Sequence, residues 1–101
     1  LVTLVRILHD HDDDVALALL HRIRESLPAG GKLLIAEPMA ETRSARRMGD
    51  GYFGFYLWAM GSGRPRSFEE IGTMLTTAGF SRFSEIPTDL PIICRMVVAS
   101  K

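Results

Sequence analysis

The fold is decided by residues 1–37, which read LVTLVRILHDHDDDVALALLHRIRESLPAGGKLLIAE. Residues 1–8 are mostly branched and apolar, with Arg6 as their one charge, a pattern that predicts a strand buried on both faces. Residues 32–37 form a second short apolar run, which ends at Pro38. With a helical pattern between them, the two runs predict a βαβ unit whose strands are parallel and joined by a right-handed crossover.

The helix between the strands has a clear start and a clear stop. Residues 12–14 are three aspartates, whose carboxylates can cap free N–H groups and meet the positive end of the helix dipole. An apolar face repeats at a spacing of four, at Val15, Leu19, Ile23 and Leu27. Residues 28–31, PAGG, end the helix.

The rest of the chain predicts one more helix and a hairpin. Residues 40–50 are polar and typical of a loop or a loose helix start. Ser67 and Glu70 form a capping box that opens a helix ending at Gly79. Two β-prone runs, residues 81–88 and 91–100, are separated by a short link and predict a hairpin.

Composition bounds the function. The 101 residues, 47% of them hydrophobic, suit one small globular unit. Twelve acidic and 12 basic residues cancel, so net charge gives no case for a nucleic-acid partner. The single cysteine, Cys94, excludes an internal disulfide and favours a reducing cytoplasm; we expect it to be buried in a strand and inert. No apolar stretch has the length of a membrane span.

The start of the sequence is unusual. The chain opens inside an apolar, strand-like run, with no initiating Met and no signal-peptide pattern. We therefore expect residues 1–101 to be the C-terminal part of a longer protein.

Two polar residues fall at the ends of the predicted parallel strands. His9 follows the first strand and Glu37 ends the second. Ligands bind at the carboxyl ends of the strands in open α/β sheets, and neighbouring strands lie only about 4.8 Å apart. Histidine can take a proton near neutral pH, and a carboxylate can orient its ring. The alternative is structural: His9 as a solvated strand end and Glu37 as a loop residue.

A metal site is a second hypothesis for the same stretch. His9, His11 and the acids of residues 10–14 could bind zinc or another transition metal. The run is also typical of a helix start, and neither cysteine pairs nor a His-x-x-x-His spacing supports a metal, so we expect none. His21, on the predicted helix, is interpreted as a surface or boundary residue.

Residues 52–60, YFGFYLWAM, have three interpretations. They could form a helix of the core, the wall of an apolar ligand pocket, or a membrane-surface patch preceded by Arg43, Arg46 and Arg47. The second interpretation also allows a non-enzymatic module that binds a lipid or a pigment.

The combination of these pieces resembles the C-terminal half of the S-adenosylmethionine-dependent O-methyltransferases of the plant caffeate/hydroxyneurosporene type. The resemblance rests on the His-Asp pair after an apolar strand, the acid-started helix, the Pro-Ala-Gly-Gly stop and the strand ending in Glu-Pro. It continues through GSGRPRS, residues 61–67, and the helix ending Ala-Gly-Phe at 78–80. Residues 48–67 are most similar to the bacterial carotenoid members, which methylate hydroxyneurosporene or demethylspheroidene.

The resemblance implies roles for particular residues. His9 would be the general base and Glu37 the acid that flanks it. A second acidic partner of that family stands where this chain has Pro65. His11 replaces an aromatic residue, and Val5 a lysine near the cofactor. The implied walls of the substrate pocket are Phe53, Phe55, Trp58 and Met60.

The resemblance also implies the architecture: half of a Rossmann-like α/β sheet, with two parallel strands, helices on the faces and an antiparallel C-terminal hairpin whose last strand lies between its neighbours. The cofactor would be S-adenosylmethionine and the substrate a hydrophobic small molecule. Because no cofactor loop is recognised, we expect this chain alone to bind the cofactor weakly or not at all and to be inactive. The unpaired edge of the first strand predicts a dimer or larger oligomer.

Overall fold

The computed structural model describes residues 1–42, 55–56, 58–91 and 93–101. Four strands and two helices position the site: β1 (Val2–Val5), α1 (Asp13–Ser26), β2 (Lys32–Glu37), α2 (Phe68–Thr77), β3 (Arg82–Ile86) and β4 (Arg95–Ser100). In the described part of the chain the strands form one sheet in the order β1-β2-β4-β3.

The sheet has the predicted mixture of directions. Strands β1 and β2 are parallel, with α1 in the connection between them, which confirms the βαβ unit. Strand β4 is antiparallel to both of its neighbours, β2 and β3. The last strand therefore lies between its neighbours, as the resemblance implied.

The apolar core lies between α1, α2 and one face of the sheet. Leu33 and Ile35 of β2 are fully buried beside Val97 and Ala99 of β4, with which they pair across the ladder. Helices α1 and α2 contribute further fully buried side chains to the same cluster, Ala16, Leu20, Ile71 and Leu75. On the opposite face Leu34 is only half-buried. Among the described residues the helices thus cover one face of the sheet.

The first strand is shorter than predicted. Strand β1 stops at Val5, and Arg6 takes a positive φ of 56°. Residues Leu8–Asp10 then form one turn of 3-10 helix instead of continuing the strand. The prediction of burial on both faces is also wrong, because Leu4 is buried while Val5 is 57% exposed. The second face of β1 has no helix against it in the described residues.

The apolar face of α1 is displaced by one residue at its start. Val15 is 49% exposed, whereas Ala16, Leu20 and Ile23 are buried. Asp12 is the N-cap as predicted, but its side chain makes no hydrogen bond to the helix. The positions on the core face were therefore predicted correctly at the C-terminal end of α1 and wrongly at its first turn.

The capping box of α2 is confirmed. The Ser67 side chain accepts the N–H of Glu70, and the Glu70 carboxylate accepts the N–H of Ser67. The helix ends at Thr77, with Ala78 as its C-cap and Gly79 in a left-handed conformation at φ 91°. The predicted stop at Gly79 is thus correct.

The C-terminal strands are shorter than the β-prone runs that predicted them. Strand β4 begins only at Arg95, because the chain before it turns, with the N–H groups of Ile93 and Cys94 both donating to the Leu90 carbonyl. Cys94 lies just outside the strand and is half-buried, not buried within it. The link between the strands is correspondingly longer than the short predicted one.

Candidate active site

His9 lies in a sharp turn at the carboxyl end of β1. The Arg6 N–H still donates to the Ala36 carbonyl, at 2.8 Å, which extends the contact with β2. The chain then turns so that the Leu8 side chain is fully buried in the core. His9 follows it inward and is only 3% exposed. A solvated strand end, the structural alternative for His9, is therefore wrong.

Glu37 ends β2 beside this turn and is fully buried. Its Oε2 accepts the N–H of Leu8 at 3.1 Å. Burial raises the pKa of Glu37 to about 7, against the opposing effect of the peptide N–H of His9 and of the positive charge of Arg66. Glu37 is thus a buried acid that holds its proton up to near-neutral pH.

The side chains of Glu37 and His9 are neighbours but do not share a hydrogen bond. The His9 Nδ1 lies 3.8 Å from the Glu37 Oε2, which exceeds hydrogen-bonding distance. Both Nδ1 and the second Glu37 oxygen, Oε1, are buried without a partner among the described residues. The carboxyl group therefore holds the backbone that leads into His9, and not the imidazole ring itself.

The imidazole of His9 is held in its neutral form. Burial lowers its pKa below 6.5, and the nearby cations Arg6 and Arg66 lower it further, while Asp10 acts in the opposite direction. The Asp10 Oδ1 lies 3.3 Å from the His9 Nε2, and the Asp10 side chain is half-exposed. His9 is accordingly a neutral imidazole near pH 7, able to accept a proton on its unprotonated ring nitrogen.

Two loops meet around His9. We call residues 8–13 the acidic loop and residues 61–66 the glycine-rich loop. The Ser62 hydroxyl donates to the Asp10 carbonyl at 3.1 Å, and the Gly63 N–H donates to Asp12 Oδ1 at 2.9 Å. The glycine-rich loop therefore contacts the acidic loop at one backbone carbonyl, that of Asp10, and at one side chain, that of Asp12. These contacts join residues more than 50 positions apart, so the spacing of the sequence could not reveal them.

Arg66, in the glycine-rich loop, is a buried residue of the site that the sequence pattern did not reveal. Its side chain is fully buried, and its guanidinium group reaches the acidic loop. Pro65, where the resemblance leaves an acidic role vacant, is half-buried next to it. That proline has an arginine on each side, Arg64 and Arg66. The local sequence pattern does not show which of the two is buried.

Asp13 is paired with two arginines of the glycine-rich loop. Asp13 forms ion pairs with Arg64 at 3.1 Å and with Arg66 at 2.7 Å, and these two arginines lower its pKa. Within the described ranges, no group of three or more His, Cys, Asp or Glu side chains is placed to hold a metal ion. His21 is exposed on α1, in agreement with its interpretation as a surface residue.

The aromatic stretch is exposed where the structure describes it. Phe55, Trp58 and Met60 are 70%, 77% and 65% exposed, so the core-helix interpretation is wrong for them. The rings of Phe55 and Trp58 lie side by side, with their centroids 5.9 Å apart. Phe53 lies outside the described residues. No described helix has both the length and the apolar character needed to cross a bilayer.

The comparison with known families identifies the class of protein. A family model for the O-methyltransferase domain matches residues 1–81. These residues contain β1, β2 and the turn that buries His9. The chain therefore belongs to the O-methyltransferase domain family, as its resemblance implied.

Two individual relatives indicate a particular kind of O-methyltransferase. Demethylspheroidene O-methyltransferase of Rhodobacter capsulatus is 46% identical over 100 residues, which are 99% of this chain and 25% of that protein. The enzyme of the same name from Cereibacter sphaeroides is 44% identical over 98 residues, 97% of this chain and 26% of that protein. The chain spans about a quarter of the length of these curated relatives.

The fold is also similar to that of a methyltransferase of known structure. Human N-acetylserotonin methyltransferase, solved in complex with SAM, superposes with a TM-score of 0.84 at 26% identity. The superposition covers 98% of this chain and 28% of the human chain. The mixed sheet described above is thus an arrangement that also occurs in a methyltransferase of known structure.

Proposed function

We propose that residues 1–101 form the C-terminal part of an S-adenosylmethionine-dependent O-methyltransferase, with His9 as its general base. The observation that carries the proposal is the buried, neutral imidazole at the carboxyl end of β1, next to the buried acid Glu37. Membership of the O-methyltransferase domain family supports the same reaction.

The chain's own residues fit the proton-accepting half of methyl transfer. When bound, S-adenosylmethionine supplies a methyl group on a positively charged sulfur, which needs no further activation. His9 accepts the proton of the substrate hydroxyl on Nε2 as that oxygen becomes nucleophilic. Glu37 accepts the N–H of Leu8 and so holds the backbone that leads to His9. Positioning the base and the reacting groups in this way supplies much of the rate acceleration. None of the described residues is assigned to the adenine or ribose of the cofactor.

A pair of histidine variants in the full-length enzyme tests this role. His9→Gln removes the base and should lower kcat by about 10²- to 10⁴-fold. His21→Gln is the matched control, since His21 is exposed on α1, and it should keep the rate within about twofold. An unchanged kcat in His9→Gln would refute the role of His9 as the base. A wild-type enzyme that binds its ligand but shows no methyl transfer would refute the enzyme proposal and favour the non-enzymatic lipid- or pigment-binding module.

We propose a hydroxylated, carotenoid-like apolar molecule as the substrate. The support is the 46% and 44% identity to two demethylspheroidene O-methyltransferases. The exposed side chains of Phe55, Trp58 and Met60 would supply apolar contacts to such a molecule. The kcat/KM for a hydroxylated carotenoid should exceed that for a small phenol, and Trp58→Ala should reduce the preference. A preference for the phenol would reject this substrate class.

We also propose that the cofactor-binding part of the enzyme lies outside these residues. Calorimetric titration of S-adenosylmethionine should show binding to the full-length enzyme and little or none to the 101-residue chain. Binding of equal strength to both would contradict this division. The cytoplasmic location and a membrane-surface contact of the aromatic stretch stay predictions from the sequence, and flotation with anionic vesicles tests the second.

We propose, finally, that the 101-residue chain associates with copies of itself. Strand β1 pairs only with β2 among the described residues, and Val5 in that strand and Leu1 just before it are both exposed. An apolar strand edge without a partner is a template for pairing with a second copy. Light scattering at micromolar concentration should give a dimer or larger species, and Val5→Lys should shift it towards monomer. A monomeric wild-type chain would refute this proposal.

A further inference from the structure

Arg66 is the largest fully buried side chain of the described residues, and its charge is matched by directed contacts. Its Nε and Nη2 both donate to Asp13 Oδ1, at 3.0 and 2.7 Å. Its Nη1 donates to the Leu8 carbonyl at 2.7 Å, and Nη2 donates to the His11 carbonyl at 2.8 Å. Two of its partners are thus backbone carbonyls of the acidic loop.

These two carbonyls stand on either side of His9 in the chain. Leu8 precedes it directly and His11 follows two residues later. Leu8 is held at both of its peptide groups, because Glu37 accepts its N–H and Arg66 donates to its carbonyl. One buried acid and one buried cation therefore fix the short turn that carries the imidazole.

The rest of the glycine-rich loop packs closely against the backbone of His9. A Cβ on Gly63 would lie 2.0 Å from the His9 carbonyl oxygen, so only glycine lets the loop pack directly on the His9 backbone. Gly63 also has a φ of 81°, which an L side chain rarely adopts. The loop is therefore shaped to lie against His9, with the Arg66 side chain reaching past it.

We propose that Arg66 is a positioning residue for the His9 base: it fixes the orientation of the imidazole by holding the Leu8 and His11 carbonyls. This inference rests on the proposed role of His9 in methyl transfer. The planar guanidinium group suits the task, because it directs several donors at fixed angles, which the single ammonium of lysine cannot do. Its ion pair with Asp13 offsets the cost of burying the charge.

The test compares Arg66→Lys with Arg64→Lys in the full-length enzyme. Arg64 is the matched control, since it also pairs with Asp13 but makes its other ion pair with Glu70. Arg66→Lys should lower kcat by about 10- to 100-fold, with the KM for S-adenosylmethionine unchanged, because a base displaced by about 1 Å loses that much. The ¹³C and ¹⁵N signals of the His9 imidazole should also shift. Arg64→Lys should change neither quantity.

The proposal is overturned if Arg66→Lys leaves the His9 signals and kcat as they are in Arg64→Lys, or if both variants lose only thermal stability. Should Arg66→Lys not fold, Arg66→Gln takes its place; it is neutral, can reach one carbonyl, and is assessed in the same way. The His9 signals need no methyl transfer. An inactive Arg66 variant with altered His9 signals, beside an active His9→Gln, would therefore refute the proposed function and leave the positioning contact intact.

Discussion

The apolar core and the acidic loop of residues 8–13 lie next to each other but are held by different forces. In the core, side chains such as Leu20 and Ile35 are fully buried against other apolar groups, through contacts that have no fixed direction. At the acidic loop, Glu37 and Arg66 are equally buried but hold named N–H and carbonyl groups at 2.7 to 3.1 Å. Leu8 belongs to both regions, since its side chain fills the core while its peptide groups are held by the charged residues.

This difference separates what sets stability from what sets geometry. Apolar burial stabilises the fold in proportion to the area removed from water, and tolerates repacking. A buried polar group contributes only when its partners are in place, and is costly when they are missing. We therefore expect core substitutions to act on the free energy of unfolding, and substitutions of Arg66 and Gly63, the loop residues that contact the backbone around His9, to act also on His9.

The largest expected effect on stability is in the core. Leu20→Ala removes a fully buried side chain of α1 and should lower the free energy of unfolding by about 2–5 kcal/mol. Val15→Ala is the control on the same helix, because Val15 is 49% exposed, and it should cost less than about 1 kcal/mol. Urea titration measures both. Equal losses would mean that the buried face of α1 is wrongly described.

The second expected effect is a pH dependence caused by Glu37. Its pKa is about 7 in the folded protein and near 4.5 without burial. The folded state therefore holds the proton between these values while the unfolded chain has lost it. The stability that Glu37 contributes is fully present below 4.5 and is lost as the pH rises to about 7, by up to about 3 kcal/mol.

Comparison with Glu37→Gln isolates that contribution. His9 has the opposite effect, because its lowered pKa makes stability rise with pH in the window below 6.5. Since His9 is present in both proteins, its effect largely cancels in the difference. The free energy of unfolding of the wild type minus that of Glu37→Gln should fall between pH 4.5 and 7. A difference in free energy that does not change with pH would show that burial does not raise the pKa of Glu37.

The third effect separates backbone conformation from close packing in the glycine-rich loop. Gly61 and Gly63 have similar positive φ values, 86° and 81°, but of these two only Gly63 lies where an added Cβ would meet another described residue. Gly61→Ala should cost about 1–2 kcal/mol from the left-handed conformation alone. Gly63→Ala should cost measurably more and should also shift the His9 imidazole signals. Equal costs and unchanged signals would show that the loop does not press on His9.

The smallest effect is at the start of α2. Ser67→Ala removes the side chain that accepts the N–H of Glu70 and should cost about 1 kcal/mol. Ser67→Thr, which keeps a hydroxyl, should recover most of that loss. Thermal unfolding distinguishes the two variants. A loss as large as that of Leu20→Ala would contradict the division between core and cap.

The sequence predicted those parts of the molecule that depend on neighbouring residues. The Ser67–Glu70 capping box marked the start of α2, since capping acts within one turn. The aspartates of residues 12–14 marked the start of α1, although the Asp12 side chain makes no capping hydrogen bond. Alternation of apolar runs and a helical pattern was enough for the βαβ unit. The placing of His9 and Glu37 at adjacent strand ends followed from parallel pairing, because the carboxyl ends of parallel strands meet at one edge.

The sequence could not predict what depends on distant contacts. Leu8 was placed in a strand, but its N–H is held by Glu37, 29 positions away, and the chain turns there. The core position of Val15 was wrong because the start of α1 is fixed by contacts of Asp12 and Asp13 with the glycine-rich loop. Arg66 was missed for the same reason: its four hydrogen bonds span 53 to 58 positions.

The proposed role of His9 as the neutral base of methyl transfer has one most direct test. It is the pH dependence of the single-turnover rate of the full-length enzyme with saturating substrate and S-adenosylmethionine. The lowered pKa of His9 predicts a rate that rises as His9 loses its proton below pH 6.5 and is level above it. In His9→Gln this rise should vanish, with the rate lower at every pH. A variant with the wild-type rate and the wild-type profile would contradict the role of His9 as the base.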